Sequence, residues 1–244
     1  PVQIATLASL ARRMIDLFWP LIAEDAGFGN PEQRPLFLTL ETAQYYMARV
    51  ANPLIEARGY FDSVRIERNR LYSQILDNLN KAAVVGFPPS EIAGRLKGAW
   101  VGEQAQARVY DHAQICAQHF RSYCLEHNLL DFSLQLSIFV NHLWKASLCR
   151  DHLLESYPHF IVDNVEEDTP VAHDIIAEWV SKTQSALIIF DTGAGYRSFL
   201  GADPESAHEL NALCDETFSF SQSLVMSTEM KTLGRRLAES LEPR

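Results

Sequence analysis

Two apolar runs in this 244-residue sequence stop at an aspartate: HFIVD at Asp163 and SALIIFD at Asp191. A short apolar run bounded by polar residues reads as a buried strand, and ligands of parallel α/β sheets sit where such strands end. A carboxylate at that edge holds Mg²⁺, directly or through water, beside a triphosphate. One such aspartate is weak evidence because Asp also caps helices, whereas two from successive strands carry more. Asn164, Glu166, Glu167 and Asp168 follow the first run. The second is followed by TGAGYRSFLGADP, whose Gly193 and Gly195 are suited to a backbone nest for phosphate.

These residues need elements to position them. TPVAHDIIAEWVSK (169–182) has a helical pattern between the two runs, so the region reads as a β-α-β unit with parallel strands. A further helix is expected from about Glu205. Near the start, VQIAT (Val2–Thr6) reads as the end of another strand. Thr6 then caps a helix that carries Leu10, Met14, Leu17, Phe18 and Leu21 at core spacing. Pro31 and Pro35 mark a loop. From Leu40 to about Trp144 the pattern is helical with no strand, in segments beginning near Leu40, Asp62, Glu103 and Asp131. Gly59, Gly86, Pro88–Pro89 and Asn128 break them. The helix after Asp131 is expected to turn Leu134, Ile138 and Leu148 to the core. The layout predicts a three-layer α/β fold, with a core from residues 1–39 and 145–244 and a helical insertion lobe at 40–144. VQIA, FIVD and IIFD should share one parallel sheet, with Asp163 and Asp191 approaching each other at its carboxyl edge.

Composition narrows the function. Hydrophobic content of 47% and aromatic content of 10% are those of a folded chain. No apolar run approaches the ~20 residues that span a bilayer, and no signal peptide is visible, so a cytoplasmic protein without membrane contact is expected. The four cysteines (Cys116, Cys124, Cys149, Cys214) form no CxxC pair and read as thiols. His112, Cys116 and His119 share a helical face without a fourth zinc ligand and read as packing. The net charge of −10 argues against nucleic-acid binding by bulk electrostatics. Residues 151–210 hold twelve acids against Lys182 and Arg197, while Arg65, Arg68 and Arg70 cluster on what reads as a solvated face. His142, His152, His159 and His173 read as surface or cap residues, and no Ser-His-Asp or Cys-His arrangement stands out.

HFIVDNVEEDTP resembles the Mg²⁺-binding segment of UvrD/Rep-type superfamily 1 DNA helicases, where an apolar strand runs into Val-Asp-Glu-x-Gln-Asp-Thr. Asp163 falls on the metal aspartate, Asn164 on the catalytic glutamate, Glu167 on the glutamine, and Asp168 and Thr169 on the final pair. IIFDTGAGYRSFLGADP is similar to the family's next motif. It keeps Asp191, Phe199, Gly201 and Ala202, but has Ala194 at the glutamine, Arg197 at the tyrosine and Leu200 at the arginine. IATLASLARRMI resembles the family's segment that contacts single-stranded DNA, keeping Thr6, Ser9 and Leu10. YCLEHNLLDFSLQL is similar to the Leu-Asp-Phe stretch where the helical insertion returns to the core. DETFSFSQSLVMS resembles the Asn-Tyr-Arg-Ser segment, with Thr217 and Ser219 at the asparagine and arginine. The five segments follow the family's order.

The resemblance implies a partial P-loop NTPase-like parallel sheet with a large helical insertion. It implies ATP and Mg²⁺ as ligands held near Asp163 and Asp191, and single-stranded DNA contacted by Thr6, Ser9, Tyr196, Arg197 and Phe199. Phe199 has a second reading, as an anchor of its loop to the core. The departures imply lost hydrolysis. Asn164 cannot accept the proton of the attacking water, a loss of ~10²–10⁴ in rate. Ala194 cannot sense a γ-phosphate, and Ser219 cannot neutralise transferring charge as an arginine does. Glu166 and Glu167 are placed poorly to substitute as base. The phosphate-cradling Gly-Lys-Thr loop is not in the sequence and would lie upstream of Pro1, in a longer polypeptide. Three readings follow: an inactive pseudo-helicase serving a repair complex as a DNA- or protein-binding scaffold, part of an active ATP-dependent DNA helicase, and an unrelated helical α/β interaction protein.

Overall fold

The structure, a computed structural model, describes residues 2–103, 107–220 and 225–241. The chain divides into two compact units, Pro1–Leu213 and Cys214–Arg244. The first is mostly helical and contains two short parallel strand pairs, among its described residues. In the second, α10 (Thr228–Leu241) is amphipathic, with Met230, Leu233 and Leu237 exposed.

Thr6 begins the first unit's helix α1 (Leu7–Ile22) as an N-cap. It forms a capping box with Ser9, each side chain accepting from the other's backbone N–H, at 3.2 Å (Ser9 N) and 2.8 Å (Thr6 N). The cap was legible, but the strand before it is not there. Residues 2–6 are irregular, and Val2 and Ile4 stand almost fully exposed. A strand needs a neighbour to satisfy its backbone, and no described residue pairs with this segment. The expected three-strand sheet is therefore reduced to its last two strands. On α1 the buried stripe is Ala11, Met14, Ile15, Trp19 and Ile22, while Leu17 and Leu21 face solvent. The helix is apolar over a wide arc, and packing chose the adjacent stripe.

β1 (Leu36–Phe37) pairs in parallel with β2 (Leu129–Leu130), placing a strand inside the stretch read as wholly helical. Between them lie α2 (Leu40–Arg58), α3 (Arg68–Val85), α4 (Ile92–Gly98) and α5 (Arg108–Glu126). Gly59 and Gly86 end α2 and α3 in the left-handed conformation that glycine adopts without strain. α3 starts six residues after Asp62. Phe61 is itself left-handed (φ 65°) and buried, its N–H donates to His112 Nδ1 (3.3 Å), and residues 59–64 form turns before the chain runs irregularly to α3. α6 (Phe132–Ile138) opens at Asp131 as anticipated, then widens into a π-turn over Phe139–Leu143 before α7 (Ser147–Ser156). The break leaves Leu148 exposed, while Leu134 and Ile138 are buried. One core runs through α1, α2, α3, α5, α6, α7 and the next helix, α8 (Pro170–Val180). The helices between residues 40 and 144 thus share their interior with the elements on either side.

β3 (His159–Val162) and β4 (Ser185–Ile188) form the second parallel pair, in the register Val162 to Ile188, and α8 crosses between them. Phe160 stacks on Trp179 of α8, with centroids 4.7 Å apart. A small cluster of Val162, Val165, Ile176, Ala207 and Leu210 joins this sheet to α8 and α9 (Pro204–Glu209). Only that face is covered: Ile161 and Leu187, on the other face, are 68% and 54% exposed. The third layer is absent from the described residues. None of the described helices is long and apolar enough to cross a membrane.

Candidate functional site

The β3–β4 ladder continues past its strands, with Ile189 N donating to Val162 O (2.9 Å) and Val165 N to Ile189 O (3.2 Å). Asp163 and Asp191 therefore leave one carboxyl edge, Asp163 opposite Ile189 and Asp191 two residues beyond it. Both are exposed. Among the described residues the Asp163 carboxylate makes no hydrogen bond, while Asp191 Oδ1 accepts from Gly193 N (2.9 Å), closing a local turn. No cluster of three metal-ligating side chains occurs among the described residues.

Asn164 follows in the left-handed region (φ 54°, ψ 45°), which asparagine tolerates better than other non-glycine residues. Its exposed side chain makes no hydrogen bond. This kink turns Val165 into the core and sends the next three acids toward the loop after β4. Glu166 is 1% exposed, and its Oε2 accepts from Asp191 N (3.1 Å). Glu167 Oε1 accepts from Gly195 N and Tyr196 N, and its Oε2 from Arg197 N, all at 3.2 Å. The backbone carbonyl of Asp168 accepts from Asp203 N (3.0 Å). Burial, reinforced by Glu166 and opposed by His173, raises the Asp168 carboxyl above its ordinary pKa. Neither Glu166 nor Glu167 is open to act as a base, and the nest expected to suit a phosphate already holds the Glu167 carboxylate.

The loop from Asp191 to Asp203 is tightly built. At Gly195 (φ 94°) a Cβ would lie 2.3 Å from Pro204 Cγ, so only glycine fits. Ala194 is half-buried. The Tyr196 hydroxyl donates to Gly193 O (2.7 Å). Tyr196 and Phe199 are 79% and 74% exposed, and Leu200 and Arg197 also face solvent. Phe199 is therefore not an anchor to the core. Asp203 then caps α9, accepting from Glu205 N and Ser206 N.

The remaining candidates fall elsewhere. Thr6 and Ser9 are exposed but engaged with each other in the α1 cap. Ser219 is an exposed residue of the second unit. Arg65, Arg68 and Arg70 are exposed, as the sequence suggested. His112 stacks on Tyr60 (4.3 Å), and Cys116 beside it is fully buried, its thiol pushed up to about 11 by burial. His173 corrects the sequence reading. It is buried, with Nε2 donating to Val165 O (2.9 Å) and Nδ1 against Ser206 Oγ (2.5 Å), so it ties α8 to both the acidic turn and α9. No sequence signal announced this, because both partners come from outside its own helix. A cavity of about 220 Å³, lined by residues such as Val140, Trp144 and Ile175, contains none of the candidate residues. No protein-family model matches the chain, and no curated protein matches it.

Proposed function

We propose that this chain is part of a UvrD/Rep-like motor core that has lost ATP hydrolysis and acts as a DNA- or protein-binding scaffold within a cytoplasmic repair or recombination assembly. The observation that carries the reading is the parallel β3-α8-β4 unit, with aspartates leaving both strands and an aromatic loop after the second. A partial P-loop NTPase-like sheet accounts for its open outer face, since parallel sheets are ordinarily covered on both sides. The remainder of the same polypeptide is the natural cover. Asp163, with no hydrogen bond of its own, fits a water-mediated Mg²⁺ beside ATP, which would supply charge neutralisation at the phosphates. Asn164 offers no base, and both neighbouring glutamates are engaged. Tyr196 and Phe199 suit stacking on unpaired bases, and Arg197 a phosphodiester.

The test is phosphate release by the protein, with any phosphate loop that precedes Pro1, in the presence and absence of single-stranded DNA. No DNA-stimulated release is expected, and robust turnover would overturn the scaffold reading in favour of an active helicase. Asn164→Glu probes the position directly. Its backbone must hold a glutamate in the left-handed region at a strain of ~1 kcal/mol, so folding is checked alongside. Turnover gained only in that variant places residue 164 at the water. The missing first strand favours the other reading, an unrelated α/β interaction protein. Under that reading, single-stranded DNA would not bind at low salt.

A further inference from the structure

The run of acids after β3 has an architectural consequence for the neighbouring loop at the same carboxyl edge of the sheet. Three consecutive residues grip three successive points of the loop that carries Tyr196 and Phe199. Glu166 Oε2 takes the N–H of Asp191 at the loop's start. Glu167 takes three successive N–H groups, those of Gly195, Tyr196 and Arg197, at its middle. The Asp168 carbonyl takes the N–H of Asp203 at its end. Glu167 is the central member. Its carboxylate sits in a concavity of backbone donors of the kind that binds anions, and the Arg197 guanidinium lies 3.8 Å away across a partly solvated gap. The loop's apolar side chains nevertheless point to solvent.

The geometry points to Glu167 as the positioning residue of this loop: a built-in anion that fills the nest and holds Tyr196, Phe199 and Leu200 outward as a preformed docking surface, with or without nucleotide. This deepens the scaffold reading and rests on it for the identity of the ligand, an unpaired nucleic-acid strand. A loop already fixed in its binding shape loses less conformational entropy on docking. The same clasp leaves no backbone donors at residues 195–197 for a nucleotide phosphate to reorganise.

Two measurements separate the clasp from the ligand. The first is amide hydrogen exchange at residues 195–197 in the parent, Glu167→Gln and Glu167→Ala. The second is the affinity of each for a labelled oligodeoxythymidylate, with and without ATP and Mg²⁺. In Glu167→Gln the side chain keeps its shape, but its amide nitrogen cannot accept from a backbone N–H. The expected result is exchange of these amides roughly tenfold faster or more, with α5 and α8 unchanged as evidence of folding. Oligonucleotide affinity should fall severalfold, and ATP with Mg²⁺ should alter neither quantity in the parent. Parent amides that exchange as fast as those of the variants, or a parent whose loop protection depends on ATP, would overturn the proposal. Faster exchange in the variants, with no oligonucleotide bound by any of the proteins, would uphold the clasp and overturn the nucleic-acid reading. Should Glu167→Ala not fold, the glutamine variant carries the test alone.

Discussion

The two strand pairs of the first unit are built from similar residues and treat them in opposite ways. Each pair is parallel, and each is flanked by an asparagine in the left-handed conformation and by an aspartate: Asn128 and Asp131 around β2, Asp163 and Asn164 after β3. Asn128 is buried and fully engaged. Its Oδ1 accepts from Asn30 N (3.1 Å), and its Nδ2 donates to Asn30 O (2.6 Å) and Gln33 O (2.7 Å). Asp131 is buried as well, accepting from Ser133 N, Ser133 Oγ and Leu134 N at the start of α6. Asp163 and Asn164 are exposed, and their side chains make no hydrogen bond among the described residues. The same residue types are fully used by the fold at one pair and left available at the other. Availability after β3, more than residue type, is what separates that edge from the one at β2.

Replacement of each asparagine by glycine sharpens the contrast most, because glycine adopts the left-handed region readily and isolates the side-chain bonds. Asn128→Gly should lower stability by about 2–3 kcal/mol, the cost of leaving buried backbone partners unsatisfied. Asn164→Gly should change it by less than about 0.5 kcal/mol. Urea midpoints of the two variants, compared with the parent, decide the matter. Equal losses would mean that Asn164 is also structural, and the distinction between the two edges would fall.

The aspartates give a smaller difference. Asp131→Ala removes an N-cap and should cost about 1–2 kcal/mol, whereas Asp163→Ala should lie within about 0.5 kcal/mol of the parent. A destabilised Asp163 variant in thermal unfolding would show that its carboxylate serves the fold and is not available for Mg²⁺.

Much of this was legible in the sequence where local chemistry decides the outcome. The caps at Thr6 and Asp131, the left-handed stops at Gly59 and Gly86, and the β3-α8-β4 unit all follow from residue type and period. What escaped was set by distant partners. β1 and β2 are two residues each, too short to show a period. The stripe that α1 buries was chosen by its neighbours, and the π-turn after α6 rotated Leu148 out of the core. At the candidate edge, the sequence exposed the acids but not their roles. Glu166 and Glu167 read only as poorly placed substitutes for a base, and nothing pointed to their partners or to that of Asp168, which are backbone groups 25 to 35 residues away.

Asp168 offers the finest test of the comparison, because it is an enclosed carboxyl without the donors that Asp131 enjoys. Its side chain accepts no hydrogen bond, and burial raises its pKa in the folded state. The folded protein therefore takes up this proton at a higher pH than the unfolded chain does. The stability linked to Asp168 thus rises as the pH falls from neutral through the raised value, and levels off near the ordinary carboxylate range of about 4. Asp168→Asn removes the charge that burial disfavours and leaves the backbone carbonyl free to accept from Asp203 N. The variant should melt slightly above the parent at neutral pH, with the gap closing as the solution is acidified toward the ordinary carboxylate pKa. Melting curves of both proteins, taken across that range at constant ionic strength, measure the gap directly. A variant that melts below the parent at neutral pH would show that the Asp168 carboxylate has a stabilising partner. The β3 edge would then contain a satisfied aspartate of the Asp131 kind, beside its satisfied glutamates.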